Sequence, residues 1–209
     1  MIHRVEVRAK DGFGDPHAEG VLGHIRELGI AVVTGVRSAR IFFLAGELGE
    51  GEVGKIAAEL LADPVVEEYR LGESPAADGA AVVEVHLKPG VMDPVAASTE
   101  QAIHDMGVAV SSVRTARRYE LAGGVGEADR QSIARKLLAN PVIEDIHFTA
   151  FTPPELHAVR YDLQIITVPI RDLDDEGLRK LSDDNEMFLN LAEMKAIQDH
   201  YVRLGREPR

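Results

Sequence analysis

The histidines are the side chains most able to bind a metal ion, and the chain has eight of them. His17 and His24 lie seven residues apart, two turns distant on one face of a predicted helix, so they do not chelate one ion. Four others have no ligand partner at short spacing: His86, His104, His147 and His157. Protein zinc sites bring their ligands in close pairs. The spacing therefore favours surface or strand-edge imidazoles, and we expect no metal in this chain.

Carboxylates are the next candidates for chemistry. One acidic cluster comprises Asp172, Asp174, Asp175 and Glu176. It lacks the glycine and the terminal glutamate of a calcium-binding loop, and acidic residues suit the first turn of a helix. Two adjacent pairs, Glu67-Glu68 and Glu144-Asp145, fall in predicted strands. Neighbours in a strand point to opposite faces, so neither pair can act as a general acid and base at one site.

Nucleotide-binding and nucleophilic motifs are missing from the sequence. Gly12-Phe13-Gly14 lacks the third glycine of a dinucleotide motif, and the phosphate-loop pattern with its lysine does not occur. Gly123-Gly124-Val125-Gly126 predicts a flexible turn between a strand and a helix, and a candidate partner-contact loop. Without cysteine, disulfides, zinc–thiolate sites and thiol catalysis are excluded. We therefore expect no catalytic, cofactor-binding or metal-binding residue.

Charge and hydropathy restrict the partners. The 209 residues carry 35 acidic against 23 basic side chains, a net charge of −12. Nucleic-acid binding requires a basic surface, so a nucleic-acid partner is not expected. No apolar run is long enough to span a bilayer, and no secretory signal opens the chain, so we expect a cytoplasmic protein.

The sequence contains an internal duplication. Three segments recur in one order: Asp15-Pro16 as Asp93-Pro94, residues 36–40 as 113–117, and residues 60–68 as 137–145. The offset between the copies changes from 78 to 77 residues between Ile30 and Val36. Because strands absorb single insertions as bulges, the extra residue near Thr34-Gly35 predicts a β-bulge or bend.

Each copy shows the pattern strand, helix, long strand or hairpin, helix, strand. Val5 and Val7 alternate with charged residues, which predicts a strand with one wet face. Asp15 is a good N-cap for the first helix, with Pro16 in its first turn. Pro64 and Pro141 end the second helices, and short strands follow at Val65–Leu71 and Val142–Phe148.

A module of roughly 70 residues is marginally stable alone, and its sheet has open edges. Fusion makes the pairing of two modules intramolecular. We therefore predict two repeats, residues 1–72 and 81–151, joined by the flexible linker 73–80. The α+β fold expected is a pseudo-twofold unit with antiparallel sheets, in which the copies share a sheet or exchange edge strands.

Residues 152–209 follow a different pattern and are expected to form a linker of strand and helices. Leu163–Ile170 predicts a strand, and Asp172–Asp184 an acidic short helix or turn. A final helix carries four apolar residues on one face: Met194, Ile197, Tyr201 and Leu204. The stop just after Gly205-Arg206 is typical of a cut rather than of a finished domain.

Residues 83–94 and 136–145 resemble the PurS subunit of phosphoribosylformylglycinamidine synthase. Their sequences are Val-Glu-Val-His-Leu-Lys-Pro-Gly-Val-Met-Asp-Pro and Lys-Leu-Leu-Ala-Asn-Pro-Val-Ile-Glu-Asp. The first copy departs from the pattern with Asp63 for the asparagine and Glu68 for the final aspartate. The resemblance covers about residues 2–149 and implies ferredoxin-like αβ modules. Ten residues are motif or interface candidates: Asp15, Pro16, Asp93, Pro94, Asn140, Pro141, Glu144, Asp145, Gly205 and Arg206.

Residues 187–208 resemble the opening of the large synthetase subunit, PurL. The resemblance implies a non-catalytic assembly subunit, or the front of a fused PurS–PurL chain, in purine biosynthesis. Its partners would be PurL and the PurQ glutaminase, between which it bridges and helps to form or shield an ammonia route. ATP and magnesium are then cofactors of PurL, and this chain has none. Self-association of the repeats, extending to a homodimer, is also expected.

An alternative from another class is a tandem small-molecule sensor of the ACT type, which is also built from paired ferredoxin-like modules. Its ligand would lie near the loop between the first strand and the first helix. In both copies, however, an aspartate directly precedes proline in this loop, with no glycine after it. The sensor hypothesis also leaves the tail unexplained.

Overall fold

The computed structural model describes residues 1–156 and 164–209. These residues belong to two compact units, one within Met1–Val159 and the other within Arg160–Arg209. Among the helices described, none has the length and apolar character needed to cross a membrane.

The two repeats have the same element order, as the sequence predicts. The first contains β1 (Ile2–Ala9), α1 (Pro16–Glu27), β2 (Gly35–Ala45), α2 (Glu50–Ile56) and β3 (Glu67–Leu71). The second contains β4 (Ala81–Leu87), α3 (Pro94–Asp105), β5 (Ser112–Ala122), α4 (Glu127–Ile133) and β6 (Glu144–His147). Helices α2 and α4 each continue as a π-helical turn, over Ala57–Leu61 and Ala134–Leu138.

All six strands form one antiparallel sheet in the order β3-β1-β2-β5-β4-β6. The copies therefore share a sheet through β2 and β5, and the predicted α+β fold with ferredoxin-like repeats is confirmed. The pairing of β2 with β5 runs unbroken from Gly35 opposite Ala122 to Ala45 opposite Ser112. The predicted bulge or bend does not interrupt this pairing; just before it, the N–H of Thr34 donates to the carbonyl of Ala122, the partner of Gly35, at 2.9 Å. The extra residue lengthens the loop between helix and strand, where an insertion leaves the sheet register intact.

The helices pack crosswise over one face of this sheet. One buried cluster joins β1 and β2 to α2 and to Ile103 of α3. The other joins β4 and β5 to α4 and to Ile25 of α1. The first helix of each repeat thus lies in the core of the other repeat. Because each core draws on both copies, neither repeat can bury its apolar surface alone.

The opposite face of the sheet is not wet, and that part of the strand prediction is wrong. Arg4 and Glu6 are only 6% and 2% exposed, and Glu84 is fully buried. Alternation correctly separates apolar from charged residues, but it does not show that both faces are covered. The charged residues are buried here because they pair with one another, as described below.

The second unit contains α5 (Asp175–Asp184) and α6 (Leu191–Leu204), packed around Ile170, Leu178 and Met194. The predicted helix in the acidic segment forms, with Asp174 as its N-cap. The strand predicted over Leu163–Ile170 is wrong for residues 164–170, which have no regular structure, and residue 163 lies outside the described residues.

Candidate functional site

The repeated Asp-Pro motif fastens a helix to the middle of the sheet. Asp15 Oδ1 accepts a hydrogen bond from the N–H of Ala18 at 2.9 Å and caps α1, while Pro16 occupies the first turn. Asp15 Oδ2 accepts from both the N–H and the hydroxyl of Ser38 on β2, at 3.0 and 2.8 Å. In the second copy Asp93, followed by Pro94, accepts from Ala96 and Thr115, each bond at 2.9 Å. The carboxylate therefore sets the position of the first helix on the central strands.

The second motif builds the turn that leads into the edge strand. Asn140 Oδ1 accepts from the N–H of Val142 at 3.1 Å, and Glu144 Oε2 accepts from the N–H of Asn140 at 2.7 Å. The other oxygen of Glu144 lies 2.5 Å from Nη2 of Arg117 on β5. Asp63, Glu67 and Arg40 make the same contacts in the first copy.

The remaining motif candidates make contacts of other kinds. The carbonyl of Pro141 accepts from Lys88 Nζ at 2.5 Å, and the carbonyl of Pro64 accepts in the same way from Lys10. Asp145 is exposed. In the second unit, Gly205 caps α6 with φ +65°, and the guanidinium of Arg206 lies 5.4 Å from the ring centre of Tyr201.

A buried ion network on the other face was not found from the sequence, and Glu84 lies at its centre. Glu84 Oε1 is 2.5 Å from Arg4 Nη2 and 3.2 Å from Arg118 Nη1. Its Oε2 accepts from the N–H of Phe151 at 3.0 Å and lies 3.2 Å from His86 Nε2. Arg4 comes from the first repeat, so the network joins the two copies above the sheet.

Electrostatics keep this carboxylate charged. Burial by itself would raise the pKa of Glu84, but the hydrogen bonds from His86 and Arg4, the charge of Arg4 and the Phe151 N–H lower that pKa to about 2. Burial acts to lower the pKa of Arg4, and the paired glutamates outweigh it, so that the pKa is raised. Glu84 and Arg4 therefore remain an ion pair throughout the neutral range.

Two connecting segments cover the network. Arg118 donates to the carbonyl of Ser74 at 3.0 Å and to Glu120 at 3.0 Å, which holds the linker between the repeats against the sheet. Arg4 donates to the carbonyl of Phe151 at 2.9 Å, which holds the segment after β6. A usable signal existed in the sequence: Glu6 and Glu84 occupy equivalent positions of the two copies.

An aromatic cleft of about 310 Å³ lies beside the network. The rings of His147 and Phe151 are stacked with centres 4.0 Å apart, and His86 meets them edge-on. Burial, followed by the proximity of His86, lowers the pKa of His147. Within residues 1–156 and 164–209, no three metal-binding side chains come together. Of the histidines that the sequence raised as ligands, His86 and His147 pack against Phe151 at this cleft, and His157 lies outside the described residues.

One sheet made of two copies of a strand–helix–strand–helix–strand module, with its charged residues paired internally, defines a duplicated α+β scaffold. The family model described as PurS, phosphoribosylformylglycinamidine (FGAM) synthase, matches residues 2–73 and 80–152. The chain belongs to this family, and the resemblance seen in the sequence is confirmed. Its work therefore concerns FGAM synthase in purine biosynthesis.

A relative shows how the repeats relate to a single subunit. The phosphoribosylformylglycinamidine synthase subunit PurS of Archaeoglobus fulgidus is 32% identical over 76 residues. That alignment covers 34% of this chain and 95% of the relative. The relative is thus about the size of one repeat. As a chain of the PurS family, this protein is expected to work with other subunits.

Proposed function

We propose that this chain is a non-catalytic assembly subunit that bridges the PurQ glutaminase and the PurL synthetase and shields ammonia passing between them. The observation that carries the proposal is the internal use of the charged groups. The motif carboxylates Asp15, Asp93 and Glu144 hold helices and turns, and Glu84 holds two arginines. Side chains committed to such contacts build a surface and are not free to react.

Shielding is a physical requirement of the reaction class. Ammonia that reaches water at neutral pH is largely protonated and loses its nucleophilicity. A scaffold that holds the two enzymes together prevents this loss without chemistry of its own. ATP and magnesium then belong to PurL. The likeness of residues 187–208 to the opening of PurL supports a chain that precedes PurL or docks with it.

The sheet edges supply docking surfaces for this role. Strands β3 and β6 end the sheet, and apolar residues beside them are exposed: Val65, Tyr69 and Leu71 at one edge, Val142 and Ile143 at the other. Exposed edges and apolar residues mark sites of protein association. We expect them to contact a partner subunit or a second copy of the chain.

Reconstitution with purified PurL and PurQ tests the proposal. With glutamine as nitrogen donor, omission of this chain should abolish most FGAM formation. With a high concentration of ammonium salt, PurL should work without it. The chain alone should neither hydrolyse glutamine nor consume ATP. Glutamine-dependent synthesis that is independent of this chain would contradict the bridging role.

A matched pair of variants tests the edges. Val65→Glu and Val142→Glu place the same charge at equivalent, highly exposed positions, 67% and 79% exposed in the native chain. We expect at least one to reduce co-elution with the partner subunits while the circular dichroism spectrum stays native. Wild-type assembly by both variants would rule out the edges as docking surfaces.

A further inference from the structure

The duplication places two arginines opposite each other at the centre of the sheet. In the pairing of β2 with β5, the numbers of partnered residues always add up to 157, and the two copies are offset by 77 residues here. Only Arg40 and Arg117 satisfy both relations. The pseudo-twofold axis therefore passes between these two side chains, and each arginine lies opposite the equivalent arginine of the other repeat. Like charges directly opposite on neighbouring strands repel each other.

Each arginine is only partly neutralised. Glu67 approaches Nη2 of Arg40 with both oxygens at 2.7 Å, and Glu144 contacts Nη2 of Arg117. Among the residues described, the Nε and Nη1 donors of both arginines have no hydrogen-bond partner. The two side chains are 52% and 43% exposed, so these donors are open to a ligand. A guanidinium with an open edge is suited to bidentate contact with a phosphate.

The two arginines line one groove of about 480 Å³ beside the start of α1. Arg8 lines it as well, but its guanidinium is paired with Glu68. The carboxylates beside the two central arginines are Asp15 and Glu67 in the wall of the groove and Glu144, which contacts Arg117. One of these carboxylates, Asp15, already accepts three hydrogen bonds. The groove is larger than a phosphate ion, and part of its wall is apolar, including Val7 and Val66.

The symmetry-related groove beside α3 provides an internal comparison. It contains Val95 and Phe42 where the first groove contains His17 and Tyr119. His17 Nε2 lies 3.0 Å from the hydroxyl of Tyr119, which adds polar groups to the first groove alone. Arg117 lines only the groove beside α1. The two grooves are therefore not equivalent, and a polar ligand favours one of them.

We propose that the groove between Arg40, Arg117 and the start of α1 binds a small phosphomonoester, with its phosphate on the axis arginines and its organic part against the apolar wall. Of the two grooves described beside the first helices, only this one has such a site, although the arginines themselves are duplicated. The site does not depend on the bridging role proposed above.

Titration of the ¹⁵N-labelled full-length chain, at constant ionic strength, tests this site. The probes are glycerol 3-phosphate, inorganic phosphate and chloride. We expect saturable shifts of the amides of Ser38 to Arg40 and of Arg117 to Tyr119 with glycerol 3-phosphate, weaker ones with phosphate, and none with chloride. Absence of a saturable shift up to tens of millimolar, or a response to phosphate alone, would overturn the proposal.

Substitutions that keep the charge show whether the guanidinium is needed. Arg40→Lys and Arg117→Lys retain a cation for Glu67 and Glu144 but lose the planar guanidinium that can make two hydrogen bonds to a phosphate. Each substitution should weaken binding about tenfold or more. Arg37→Lys, on the same strand but paired with Asp11, is the control and should bind like the native chain. Equal affinity of all three variants would contradict the assignment.

His17→Val provides a second check, because it introduces the residue type that the groove beside α3 has at the equivalent position, Val95. It should weaken glycerol 3-phosphate binding severalfold and leave the stability of the chain nearly unchanged, because His17 is exposed. An unchanged affinity would mean that the site is not the groove beside α1.

Discussion

On the helix-covered face of the sheet the two repeats make matching contacts, whereas on the opposite face they do not. Asp15 and Asp93 make the same three hydrogen bonds. On the opposite face, the charged pair Arg118 and Glu120 stands where the first repeat has Ile41 and Phe43. The hydrogen bonds that fasten the first helices on the helix-covered face have therefore stayed alike in the two copies. The face that the connecting segments cover has diverged.

The equivalent glutamates Glu84 and Glu6 give the largest expected difference. Glu84 is the carboxylate that two buried arginines share, so Glu84→Gln leaves Arg4 with Glu6 and Arg118 with Glu120 as their single carboxylate partners and should lower the free energy of unfolding by about 3–5 kcal/mol. Glu6→Gln should cost only about 1–2 kcal/mol, because Arg4 keeps Glu84 as a partner. Urea unfolding of both variants measures the difference. If both variants lost the same free energy of unfolding, Glu84 would not be the central carboxylate of the network.

Acid should expose the same asymmetry. The pKa of Glu84 is about 2 in the folded chain, against an ordinary value of 4.5. A lowered carboxyl pKa stabilises the fold above the ordinary value, and that stability is lost as the pH falls through the folded value. The native chain should therefore lose on the order of 3 kcal/mol between about pH 4.5 and pH 2 through this group. The free energy of unfolding of Glu84→Gln should depend less steeply on pH over that range than that of the native chain. An equal dependence on pH in both proteins would contradict the assigned pKa.

Gly46 and Gly123 end the central strands at equivalent positions and should differ less strongly. Gly123 has φ +109°, and a Cβ there would lie 2.1 Å from the carbonyl oxygen of Val32. At Gly46 a Cβ would meet its nearest atom at 3.4 Å. Gly123→Ala should cost about 2–3 kcal/mol and Gly46→Ala about 1 kcal/mol. Thermal unfolding of both variants shows which one loses more stability. A larger loss for Gly46→Ala would show that the loop containing Val32 can move away from a new side chain at little cost.

The two motif aspartates should behave alike. Asp15→Ala and Asp93→Ala each remove a helix cap and two bonds to a central strand, at about 2 kcal/mol. The two losses should agree within about 0.5 kcal/mol, as measured in urea. A large difference between the two losses would show that the same hydrogen bonds contribute differently to the stability of the two repeats.

Much of the fold follows from local patterns in the sequence. The repeat, the element order, the shared sheet and the caps of Asp15 and Asp93 depend on spacing and on residues near each other in the chain. The buried partnership of Arg4 with Glu84 does not, because 80 residues separate them. Alternation in β1 shows which residues share a face but not what covers it. The strand expected over residues 164–170 failed because β-propensity alone supplies no neighbouring strand.

The candidate site shows the same limit. The motif residues are visible as repeats, and the structure gives them architectural contacts; a place in an interface stays a prediction for them. That Arg40 and Arg117 lie opposite each other can be predicted only from the register of β2 against β5, and no local sequence pattern contains this register. The crosswise exchange of α1 and α3 is also invisible until the sheet is assembled.

Amide hydrogen exchange in β2 and β5 tests most directly whether the two repeats form one folding unit. Because each core contains a helix from the other copy, the amides of Arg40 and Arg117 should exchange only by global opening, with equal free energies and an equal response to urea. Exchange of one central strand while the other stays protected would contradict this account.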